Sequence, residues 1–108
     1  MNYLPYTVTT DTGDTFDIEF PLSVHTESGV RVHQLLTTMM NALASDLKFL
    51  GETSNGDILQ AVSMVLAVRA RMVHAPEPTM RGIVSDLTNS ALQACYDADR
   101  QSEPAGHG

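Results

Sequence analysis

Three patterns in the 108-residue chain predict an α+β fold, an N-terminal β-hairpin followed by an antiparallel three-helix bundle. Apolar residues fall at every second position at Leu4, Tyr6 and Val8, and again at Phe16, Ile18 and Phe20, which is the signature of half-buried strands. Beyond residue 30 the spacing changes to threes and fours, the period of a helix face. Turn-forming stretches at 11–14, 52–57 and 75–78 separate these segments.

The hairpin is expected over residues 3–20. Thr7, Thr9, Asp17 and Glu19 take the positions between the apolar ones and form its outer face. In the joining stretch, Asp11 can start a turn and Gly13 can take the left-handed position that follows. Pro21 ends the second strand, since it has no N–H to give a ladder.

The first helix is expected at about residues 30–50. Val32, Leu36, Met39, Leu43, Leu47 and Leu50 share one face, and Gly51 is placed to close it in a left-handed cap. The second is expected at about 57–74, capped by Ser54 or Asn55, with Asp57 in its first turn and His74 in its last. Its apolar residues run almost all the way round, with Gln60, Ser63, Arg69 and Arg71 as the clear polar points. Such a helix is expected to be central and buried on most sides. In so small a domain it is also expected to meet a second copy of itself. The third helix is expected at about 79–100, opened by Pro78 or Thr79, with Met80, Val84, Leu87, Ala91, Cys95 and Ala98 on one face. Residues 1–101 read as one domain and 102–108 as a disordered tail.

Charge narrows the function classes. The net charge of −7 is uneven: −5 over residues 1–29, which hold no Lys or Arg, +1 over 30–75 and −3 over 76–108. A nucleic-acid binder needs clustered Lys and Arg, so direct nucleic-acid binding is not expected. An acidic surface is also repelled by anionic membranes, and no apolar run approaches the ~20 residues of a bilayer span. Cys95 is the only cysteine, so no intrachain disulfide can form. With no signal-peptide pattern at the N-terminus, a reducing, cytoplasmic location is expected.

The residues that carry chemistry do not assemble into a catalytic motif. Asp11-Thr12-Gly13 resembles the catalytic loop of aspartic proteases. That chemistry needs two aspartates sharing one proton on buried loops, and here Thr9, Thr10 and Asp14 flank the tripeptide, so it reads as a hairpin turn. His25, His33, His74 and His107 are never closer than eight residues, whereas metal-binding helices place histidines three or four apart. Neither metal nor cofactor is expected. The chain reads as a small acidic protein-interaction module, a regulator, accessory subunit or inhibitor of a larger assembly, homodimeric through its second helix. Asp14, Asp17 and Glu19 are the candidates for meeting a basic surface on a partner protein. Arg69 and Arg71 are candidates for holding a carboxylate of a partner or of a second copy. The alternative is a small-molecule-binding protein or minor enzyme, with a pocket between hairpin and helices lined by Tyr6, His25, Arg31 and His33.

Overall fold

A computed structural model describes residues 2–102 of the chain. It contains a two-stranded antiparallel hairpin followed by three helices: β1 (Tyr3–Thr9), β2 (Thr15–Pro21), α1 (Gly29–Leu50), α2 (Asn55–Arg71) and α3 (Glu77–Asp97).

In the hairpin Leu4 faces Phe20, Tyr6 faces Ile18 and Val8 faces Phe16. This register keeps Leu4, Tyr6, Val8, Phe16, Ile18 and Phe20 on one face. The turn begins one residue earlier than expected, at Thr10. The Gly13 N–H donates to the Thr10 carbonyl (3.0 Å), and the Thr10 N–H donates to the Asp14 carbonyl (2.8 Å). The Thr10 hydroxyl accepts from the Asp14 N–H (3.1 Å). This is a three-residue loop whose last member must be left-handed, and Gly13 has φ +91°.

Each helix ends for a local reason. The Ser28 hydroxyl accepts from the Arg31 N–H (3.1 Å) at the start of α1, and Gly51 closes that helix at φ +83° with its N–H on the Leu47 carbonyl. Of the two candidate caps for α2 the structure uses Ser54, whose hydroxyl accepts from the Asp57 N–H (3.1 Å). This helix stops at Arg71, earlier than expected. The Val73 N–H reaches back three residues to Ala70 rather than four, a tightening typical of a final turn. His74 therefore lies beyond the helix. The third helix starts at Glu77, two residues ahead of expectation, because Pro78 fits a first turn whose N–H groups need no helical partner. It ends at Asp97 rather than near 100.

The chain divides into two compact units. In the first, residues 1–33 and 86–108, the described part holds the hairpin, the start of α1 and the later part of α3. Its buried apolar residues are Leu4, Ile18 and Ala94. After α3, Gln101 pairs with Thr15 through two main-chain bonds of 2.8 and 2.9 Å. The Arg100 guanidinium reaches the Asp14 carboxylate (2.7 Å) and lies over the Phe16 ring. Ser102, expected in a disordered tail, donates its hydroxyl to Asp14 (2.8 Å). The rest of that tail, 103–108, lies outside the described residues. The second unit, residues 34–85, holds the remainder of α1, all of α2 and the start of α3. Contrary to the expected central helix, no residue of α2 is buried.

Candidate functional site

The exposed face of α2 is the principal feature of the second unit. Leu66 and Ala70 are half-buried one turn apart on one side of the helix, and Ile58 is half-buried in its first turn. A stripe that continues from Ile58 lies away from Leu66 and Ala70: Ala61, Val65, Val68 and Met72, at steps of four, three and four. Val65 is 58% exposed, Val68 59% and Met72 60%, and Met64 beside them 56%. Such spacing is that of a helix seam packed against another helix. Charged residues border the stripe. Asp57 and Arg71 lie fourteen residues apart on the border that also carries Met64, and Arg69 lies on the opposite border. The Arg69 guanidinium leans along the helix to the Met72 sulfur (3.2 Å). At the C-terminal end of α2, a groove of about 740 Å³ is lined by Ala70, Arg71, Val73, Met80, Arg81 and Val84 among others. Arg81 is held there by Glu77 one helical turn away (2.7 Å).

The acidic hairpin divides into two kinds of carboxylate. Asp14 is committed to the chain itself. The Ser102 hydroxyl and the Arg100 guanidinium bond its carboxylate and hold it below the ordinary aspartate range, with the Arg100 charge adding to the effect. Asp17 and Glu19 are exposed on the outer face, where the Thr7 hydroxyl donates to Asp17 (2.7 Å). Sequence reasoning missed Arg100 and Ser102. They reach Asp14 across 86 and 88 residues, and no local periodicity marks a contact of that range.

Of the residues proposed for a ligand pocket, Tyr6 and His33 meet edge to face, with ring centroids 5.3 Å apart. Both His25 and Arg31 are exposed. A different groove, of about 410 Å³, lies between the apolar face of the hairpin and α3, lined by Val8, Phe16, Ile18, Leu92, Cys95 and Arg100 among others. Burial pushes the Cys95 thiol up, which keeps it in the weakly nucleophilic protonated form at neutral pH. Among the described residues no three His, Cys, Asp or Glu side chains come together as a metal site. No helix among them is long and apolar enough to cross a membrane.

No family model, curated protein or solved structure matches this chain.

Proposed function

We propose that the protein is a small acidic interaction module that acts as a homodimer through α2, serving as a regulator, accessory subunit or inhibitor of a larger assembly. The observation that carries this reading is the exposed Ala61–Val65–Val68–Met72 stripe on a helix with no buried residue. Apolar side chains at seam spacing lose water contact only when another helix covers them.

Charge chooses the orientation. Asp57 and Arg71 are equidistant from Met64 on one border of the stripe. An antiparallel pair centred near Met64 sets Asp57 of each copy toward Arg71 of the other, and it opposes the two helix dipoles. A parallel pair has no such match. Magnitude sets the affinity. Met64, Val65, Val68 and Met72 keep roughly half of their surface exposed, so covering each returns about 1 kcal/mol. Over two copies this is about 8 kcal/mol before the cost of association, which makes a micromolar constant the upper limit. The dimer is therefore reversible on dilution.

A charge-swap series tests the arrangement. Asp57→Arg or Arg71→Asp alone weakens dimerisation by roughly two- to tenfold, the scale of two exposed ion pairs. The double swap restores it. If the double swap is as weak as either single variant, the antiparallel arrangement is wrong.

A further inference from the structure

We propose that the outer edge of β2 at Asp17 and Glu19 accepts an extended basic segment of a partner protein as a third strand. All the residues concerned belong to the first unit, so the inference is independent of the α2 interface.

The register decides which main-chain groups are free. The Leu22 N–H bonds the Asn2 carbonyl and the Thr10 N–H bonds the Asp14 carbonyl. Leu4–Phe20, Tyr6–Ile18 and Val8–Phe16 are then the pairs that exchange bonds between the strands. The alternate residues of β2, Thr15, Asp17, Glu19 and Pro21, aim their main-chain groups outward. Thr15 already uses both of its groups on Gln101, so this edge accepts a strand and the chain itself begins one. Pro21 has no N–H and limits the edge at the other end. Between them, the main-chain N–H and C=O groups of Asp17 and Glu19 bond nothing among the described residues.

The surroundings identify the occupant. A groove of about 470 Å³ runs beside this edge, lined by Asp17, Glu19, Gln93, Ala94, Asp97 and Ala98 among others, with no Lys, Arg or His in its wall. Its three carboxylates do not gather as a metal site. Asp17 and Glu19, two residues apart along the strand edge, with Asp97 of α3 in the same groove wall, suit cations that recur on one face of an extended chain, about 7 Å apart. A second copy of β2 placed here would set Asp17 against Glu19, and like charges opposite each other destabilise a strand pair. A basic extended segment has the matching backbone and the matching charge.

An acetylated heptapeptide alternating lysine and threonine, fluorescently labelled and titrated against the full chain at low salt, tests this by anisotropy. Saturable binding is expected. D17N/E19Q should weaken it by roughly three- to tenfold, the scale of two exposed charge pairs, while circular dichroism shows the fold retained. The same peptide N-methylated throughout keeps its charge but loses its N–H donors, and its binding should fall at least as far. In the bound complex the Asp17 and Glu19 amide protons should exchange more slowly. Absence of saturable binding, or equal binding of the N-methylated peptide, overturns the proposal. A monomeric α2 variant, Val68→Glu, should bind the peptide as the parent chain does, so failure at one surface is distinguished from failure at the other.

Discussion

Alanine at Gly51 and alanine at Gly82 should move stability in opposite directions. Gly51 closes α1 at φ +83°, and a Cβ added there would meet nothing within 4 Å. The cost is therefore conformational rather than steric. A left-handed alanine loses about 1–2 kcal/mol, and its smaller unfolded-state entropy returns about 0.4–1 kcal/mol, leaving a net loss of about 1 kcal/mol. Gly82 lies inside α3 without a positive φ, and its added Cβ also meets open space. There alanine gains about 0.5–1 kcal/mol from helix propensity. With about 4–8 °C per kcal/mol for a domain of this size, the two variants should melt roughly 10 °C apart, with the parent between them. Thermal unfolding followed by far-ultraviolet circular dichroism measures this, at one protein concentration because association shifts Tm. G51A melting at or above the parent temperature, or G82A melting below it, would refute a conformational origin for these effects.

Ile18→Ala should cost about 2–4 kcal/mol in urea unfolding, because Ile18 is 5% exposed and belongs to a very small buried set; a cost below 1 kcal/mol would mean that this core does not hold the first unit. Asp14 should give the fold an acid-sensitive component. Its folded pKa is lowered, so its stabilising effect is present above the ordinary aspartate value of 3.8 and is lost as pH falls through the folded value. Melting temperature followed as a function of pH should therefore drop less steeply in acid for Asp14→Asn than for the parent. Identical profiles would show that Arg100 and Ser102 do not stabilise the folded carboxylate.

The elements were legible in the sequence because each has a local cause. Alternation at Leu4–Val8 and Phe16–Phe20 set the strands and their apolar face, and Gly13, Gly51 and Ser54 marked the points where the backbone had to turn or be capped. Boundaries moved where hydrogen bonding outweighed periodicity, as at Val73, which reaches back to Ala70 and leaves His74 outside α2. Long-range features were not legible. The Arg100–Asp14 pair and the Gln101–Thr15 bridge depend on where α3 ends, which no pattern near Asp14 encodes. The α2 stripe was present but masked, since a helix apolar on nearly every side shows no single face. The half-burial of Leu66 and Ala70 marks the side away from the stripe. The acidic hairpin likewise read as one patch, whereas Asp14 is tied to Arg100 and Ser102 while Asp17 and Glu19 face outward.

Self-association through α2 is the central claim, and light scattering coupled to size-exclusion chromatography tests it most directly. The concentration series should run from about 10 µM to about 1 mM, because the burial available limits the affinity to micromolar at best. The parent chain should approach twice its 11.7 kDa mass at the upper end, and V65E/V68E should stay at the single-chain mass throughout. A parent chain that remains at 11.7 kDa across the whole range contradicts the account.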